Sequence, residues 1–287
     1  MAKRNSRPRH RGLRIFLVLV LVFLAGGLFF YDQQNRIQTE TITVTSDRLP
    51  AGFDGYRIVQ ISDLHGKEFG EDNEILLEKT AELDPDLIAI TGDVIDDADQ
   101  MGVLEPLAKG LTAIAPTFYV TGNHEWAIRE AGTVKNLLEE YGVTVLSNEY
   151  LTLERGGDSI VLAGIDDPNG PYDQKTPQEL SDEIHEALGD PYVVLLAHRN
   201  EYYQVYDQCG FDLTLCGHVH GGLIRLPFTD GLIDNTRSRL FPTHTAGLYP
   251  LDGGGTLMVS RGLGNGGISF RLFNRPHLPV IVLKSET

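Results

Sequence analysis

The sequence predicts an α/β domain of two packed sheets with helices outside, a four-layer α/β/β/α sandwich, preceded by one N-terminal transmembrane helix. Three observations predict it. Apolar β-rich runs alternate with helical patterns between residues 57 and 217, short β runs with Gly-rich turns follow, and an uncharged apolar run, 15–31, comes before them all.

The N-terminal elements are defined by charge. Residues 1–14 carry Lys3, Arg4, Arg7, Arg9, Arg11 and Arg14 and no acid, so the formal net charge of −16 divides into a +6 leader and a remainder with 18 basic and 40 acidic residues, −22. With its flanks, the run 15–31 fits one bilayer crossing. A basic leader before it predicts a cytoplasmic N-terminus and an extracytoplasmic chain after Asp32, anchored to the cell membrane by a single pass. Ala25-Gly26-Gly27 resembles a cleavage site, but Leu28-Phe29-Phe30-Tyr31 carries the apolar run past it, which favours an uncleaved anchor. The acidic remainder argues against an extended nucleic-acid surface.

Residues 32–45 read as a polar stalk leading into a first strand at 41–45, and a single domain is expected over 46–287. Within it, 57–61, 87–91, 117–121, 160–165, 192–197 and 211–216 read as strands, several apolar throughout as strands covered on both faces should be. Residues 73–83, 100–114, 127–141 and 177–188 read as helices. The last opens on a capping box, with Thr176 as cap, Pro177 at the first helical position and Glu179 returning to the cap amide. Beyond Gly217, strands are expected at 222–226, 256–260, 268–273 and 280–283. Cys209 and Cys216 are separated by an extended run that holds their sulfurs too far apart to bridge.

Five polar clusters stand at the C-terminal ends of predicted strands, where an α/β sheet places the loops that build a site. They are Asp63-Leu64-His65, Gly92-Asp93-Val94-Ile95-Asp96, Gly122-Asn123-His124-Glu125, Ala197-His198 and Gly217-His218-Val219-His220-Gly221-Gly222. Carboxylates, imidazoles and an amide oxygen converging without cysteine suit Mn, Fe or Zn. One carboxylate can bridge two such ions, and the pair can activate water and clamp an in-line displacement at phosphorus. Singly, each cluster also reads as a cap, a turn or a buried histidine; a polar ending on five of these six strands, in order, is not explained by capping.

The ordered motifs D-x-H, G-D-x-x-D, G-N-H-E, H and G-H-x-H resemble those of the calcineurin-like metallophosphoesterase superfamily, over residue 57 to the C-terminus. The stretches Ser-Arg-Gly-Leu-Gly-Asn at 260–265 and Arg-Leu-Phe-Asn-Arg-Pro at 271–276, with the anchor, resemble its membrane-associated bacterial branch, which includes phosphodiesterases and UDP-diacylglucosamine pyrophosphatases. The resemblance implies two divalent ions: Asp63, His65 and His220 on one, Asn123, His198 and His218 on the other, and Asp93 on both. It implies that His124 stabilises the transition state and protonates the leaving oxygen, and that Asp96 orients His124. Asp96 stands where purple acid phosphatases place tyrosine, so no tyrosinate-iron site is expected. Glu125 is equally explained by the dipole of the helix it opens.

Outside these clusters, Asp166-Asp167 reads as a strand-end turn, Tyr202, Tyr203 and Tyr206 as packing, and Arg225, Arg261, Arg271 and Arg275 as solvated arginines within reach of a phosphate. The leading expectation is a hydrolase of phosphodiester or pyrophosphate bonds, working by in-line attack of a metal-bridging hydroxide on an envelope or lipid-linked substrate. The alternatives are a phosphomonoesterase on soluble substrates and a non-catalytic metal-containing surface binding protein. The substrate, the metal and the oligomeric state stay open at this level.

Overall fold

The computed structural model describes residues 11–226, 230–234, 239–266 and 270–286, so most of the basic leader lies outside the described residues. The apolar run forms most of helix α1 (Arg11–Asn35), which is exposed over 11–31 and buried at Gln33, and whose most apolar 18-residue window has mean hydropathy 2.6. It leads into strand β1 (Gln38–Ser46), so the expected stalk is mostly the end of α1 and a strand of the first sheet.

Alternating elements follow: β2 (Arg57–Ile61), α2 (Glu74–Glu82), β3 (Leu87–Thr91), α3 (Leu104–Ile114), β4 (Thr117–Val120), α4 (Asn123–Ala127), α5 (Ala131–Glu140) and β5 (Thr144–Val145). The helix expected at 127–141 is thus displaced: a short α4 starts at Asn123, and the chain turns through Arg129 at φ 63° before α5. The second half contains β6 (Glu149–Arg155), β7 (Asp158–Gly164), α6 (Pro177–Leu188), β8 (Val193–Arg199), α7 (Tyr203–Gln208), β9 (Leu213–Gly217), β10 (Ile233–Asp234), β11 (Arg239–Leu240), β12 (Gly247–Pro250), β13 (Thr256–Val259) and β14 (His277–Ser285). Thr176 caps α6 through the expected box, its Oγ1 accepting from Glu179 N.

The strands form two mixed six-stranded sheets, ordered β1-β14-β2-β3-β4-β5 and β12-β13-β9-β8-β7-β6. Ile58, Leu87, Phe118, Leu162, Leu196 and Leu215 fill the layer between the sheets. Leu76, Leu107, Leu111 and Val134 seat α2, α3 and α5 on the outside of the first sheet, and Leu180, Ile184 and Tyr206 seat α6 and α7 on the second. These are the four layers expected. Cys209 and Cys216 are free and buried.

Two expected strands are not found. Residues 222–226 form a turn with one isolated bridge, Ile224 to Leu272, and 270–273 carry no strand, while 268 and 269 lie outside the described residues. Their glycines and short apolar runs imitate strand punctuation without a neighbouring edge to pair with.

β2, β3 and β4 run parallel, as do β8, β9 and β13, so their C-terminal ends share one edge of the sandwich. β14 is antiparallel to β2 and β1 parallel to β14, so both begin at that edge. A buried histidine secures the start of β14. His277 Nε2 donates to Glu40 Oε2 at 3.1 Å and its Nδ1 accepts from Arg261 N at 3.3 Å, a neutral ring satisfied at both nitrogens. Burial pushes His277 down to about 4 from its usual 6.5, against the pull of Glu40. The folded chain therefore binds this proton less readily than the unfolded chain, and the resulting stability is present above pH ~6.5 and is lost as pH falls towards 4. Chemical denaturation should show on the order of 2–3 kcal/mol lost across that window, a component that His277→Gln removes.

Candidate metal centre

His198 stands near the end of β8, the other candidate ligands sit just past a buried strand, and at five of them the backbone bends sharply to present the side chain. Asp63, His65, Asp93, His218 and His220 all adopt left-handed conformations, with φ between 50° and 76°. Non-glycine residues pay for such conformations, and five in one site mark a constellation over-determined by its surroundings. Gly122 and Gly217 make the close approach possible: a Cβ on either would overlap the carboxylate of Asp93 or Asp63 respectively.

Two groups form. His65 Nε2 lies 3.0 Å from His220 Nε2, and Asp63 Oδ1 lies 3.6 Å from His220 Nε2 and 4.0 Å from His65 Nε2. In the other, His198 Nε2 lies 3.1 Å from each of Asp93 Oδ2, Asn123 Oδ1 and His218 Nδ1. Asp93 also groups with His65 and His124, so it stands between the two. Spacings of this size are close to the ~3.3 Å that separates ligands at ~2.0 Å from a common ion.

The donor set fits a cation by its own chemistry. His198 Nδ1 donates to Thr91 O at 2.8 Å, which directs a lone pair from Nε2 at two oxygens and another imidazole nitrogen. Such a cluster of acceptors is stable only around positive charge. Burial opposes a charge on His198, yet the Asp93 carboxylate raises it to about 10, so the site favours positive charge at this position. Burial holds His218 and His220 well below their usual range, in the neutral form that ligation needs.

His124 and Asp96 form the exposed rim. His124 Nδ1 contacts Asp96 Oδ1 at 2.8 Å, and its Nε2 edge lies 3.8 Å from Asp93 Oδ2, a third of the side chain remaining open. Burial opposes the His124 charge, but the Asp96 hydrogen bond and the Asp93 carboxylate raise it to about 9. Asp96 Oδ1 also accepts from His65 Nδ1, so one carboxylate orients both rings. Gln100 Oε1 in turn accepts from Asp96 N at 2.7 Å.

Two carboxylates beside the candidate ligands, Glu125 and Glu201, were given no site role from the sequence. Glu125 is fully buried and accepts from Gly122 N at 2.8 Å, Asp93 N at 3.1 Å and Val94 N at 2.6 Å, binding the β3 and β4 loops together. Its place in Gly-Asn-His-Glu was the available signal. Glu125→Ala leaves three buried N–H groups unpaired and should lower unfolding free energy by about 3 kcal/mol, measured by denaturant titration. Glu201 Oε2 lies 3.6 Å from His218 Nε2.

The four arginines expected to be solvated are instead engaged within the protein. Arg225 donates to Gly221 O, Arg261 to Glu40, Arg275 to Asp32, and Arg271 is fully buried with Nη2 3.4 Å from His220 Nδ1. The loops they stabilise cross the site edge and have no ladder of their own to satisfy their polar groups. Asp166 accepts from Thr121 and Lys135, and Asp167 takes Arg199 at two oxygens, consistent with a tied-down turn. Tyr206 is buried beneath α6, and Tyr203 packs beside it.

The sequence model of the calcineurin-like phosphoesterases matches residues 56–222. The chain belongs to this family. It is 31% identical over 295 residues to the "Uncharacterized metallophosphoesterase YkuE" of Bacillus subtilis, covering 99% of both chains. It is 29% identical to an "Uncharacterized metallophosphoesterase" of Aquifex aeolicus, over 91% of this chain and 97% of that one. It is 28% identical to the Danio rerio "Transmembrane protein with metallophosphoesterase domain", over 93% of this chain and 62% of that one. Membership in the calcineurin-like phosphoesterases, with the clustered His and Asp groups, supports a metal-dependent phosphoesterase that binds divalent metal.

Proposed function

We propose that the chain hydrolyses a phosphodiester or pyrophosphate bond at a centre of two divalent ions, Mn, Fe or Zn, on an envelope or lipid-related substrate. The observation that carries the reading is the pair of ligand groups on either side of Asp93, with His124 on the exposed rim beside them. Asp63, His65 and His220 would hold one ion and Asn123, His198 and His218 the other, with Asp93 shared. When bound, the ions supply Lewis acidity to the phosphoryl oxygens and make a water nucleophilic at neutral pH.

The protein's own groups do the rest. Asp96 holds His124 by Nδ1, leaving Nε2 at the open side to give a proton to the departing oxygen. Asp96 and Thr91 O fix the rings of His65 and His198, so the ligands are oriented before substrate arrives. Glu125 keeps the Asp93 and Asn123 loops in register.

The diester or pyrophosphate bond is supported by the likeness of 260–265 and 271–276 to the membrane-associated branch. The placement is supported by α1, by the transmembrane name of the zebrafish relative and by the basic leader, which favours a cytoplasmic N-terminus and an outer catalytic domain. The full chain in detergent, stripped of metal and then resupplied with Mn, should turn over bis-p-nitrophenyl phosphate and a nucleotide-sugar pyrophosphate faster than p-nitrophenyl phosphate. Faster turnover of the monoester would overturn the bond assignment, and no metal-dependent turnover of any would overturn the enzyme.

A further inference from the structure

The end of α1 and the loop beside His220 meet in one seam. Because β1 starts at the edge that carries the site, the last turn of α1 is delivered to that edge by the topology alone. The uncharged run 15–31 rises roughly 26 Å as a helix, short of the roughly 30 Å apolar core of a bilayer. Residues just after it are therefore drawn to headgroup level.

Those residues grip a single loop. Gln34 Nε2 donates to Arg271 O at 2.7 Å, and Gln34 Oε1 accepts from Asn265 Nδ2 at 3.2 Å. Asp32, the first charge after the run, takes Arg275 Nε at 2.7 Å and Nη2 at 2.5 Å. Two rings of the apolar run itself pack on the same loop: Phe29 on Phe273 and Phe30 on Phe270, both with centroids 5.6 Å apart. Phe273 remains 58% exposed. Between the two phenylalanines, Arg271 turns inward to His220.

We propose that residues 270–273 are a second membrane contact, with Phe270 and Phe273 seated in the bilayer interface beside α1. An isolated exposed Phe needs no explanation. One packed on a ring of the membrane-crossing run does, because the helix sets the depth of Phe29 and hence of its partner. Aromatic rings favour this depth. The Arg275–Asp32 pair neutralises the charge nearest the apolar layer, and the patch is continuous with a helix whose own surroundings are lipid, so the occupant is the bilayer itself. The contact places the His220 side of the centre one arginine length from the headgroups. This consequence rests on the function proposed above, and the contact on α1 crossing the membrane.

The test uses the full chain reconstituted in phosphatidylcholine vesicles, with Phe273→Trp compared against the wild type, whose one tryptophan is Trp126. Lipids brominated at shallow acyl positions should quench the emission added by Phe273→Trp and leave that of the wild type unchanged. Equal emission with and without bromine would overturn the contact. Turnover of bis-p-nitrophenyl phosphate by the same reconstituted variant shows that it is folded and active. Quenching without turnover, in the variant and the wild type alike, would overturn the proposed function while leaving the contact standing.

Discussion

Asp93→Ala should lower metal-dependent turnover by on the order of 10³-fold or more and reduce the metal retained through purification. Asp93 is the only candidate ligand placed against both groups, 3.1 Å from His198 and grouped with His65 and His124. Its Oδ1 also accepts from His124 N at 2.8 Å, so alanine loosens the start of α4 as well. Asp93→Asn separates the two effects, because it keeps an acceptor for His124 N while removing the negative charge between the groups. Elemental analysis of both variants should show less metal than the wild type, with the asparagine variant unfolding close to the wild type. Wild-type metal content in both would refute the shared-ligand assignment.

His124→Ala should reduce turnover by about 10²–10⁴-fold while metal content stays at the wild-type level. Its Nδ1 contacts Asp96 and a third of its side chain is open, so under the proposed mechanism its loss removes the proton donor and leaves the two ligand groups in place. The defect should grow with the basicity of the leaving group: small for nitrophenolate, which departs unprotonated, and large for an alkyl alcohol. Equal losses on aryl and alkyl diesters would show that His124 does not act on the leaving oxygen. Asp96→Asn should behave differently, losing turnover and metal affinity together, because Asp96 also orients His65.

The five polar clusters were legible because the strands before them are short, apolar and buried on both faces, so that each abrupt polar ending marks a loop at the sheet edge. The capping box of α6 was equally plain, since Thr176, Pro177 and Glu179 act within one turn. The break at Arg129 was not, because the helical pattern continues across it and the residue that takes the left-handed turn, at φ 63°, is not a glycine. The edge strand β6 went unread, its half-buried residues alternating only weakly. Arg271 looked like a solvated side chain and is fully buried, since nothing local records that the loop carrying it folds between α1 and His220.

The sequence by itself determined the layers, the apolar helix ahead of them, and the presence of metal-type donors at strand ends. All follow from periodicity and punctuation over a few residues. The tertiary structure alone decided which donors stand together, how Glu125 joins two loops, and that α1 ends beside the candidate metal centre. Those depend on strand order, on β14 running antiparallel between β1 and β2, and on contacts such as Gln34 with Arg271. Such pairings join residues far apart in the chain, and no local pattern encodes them.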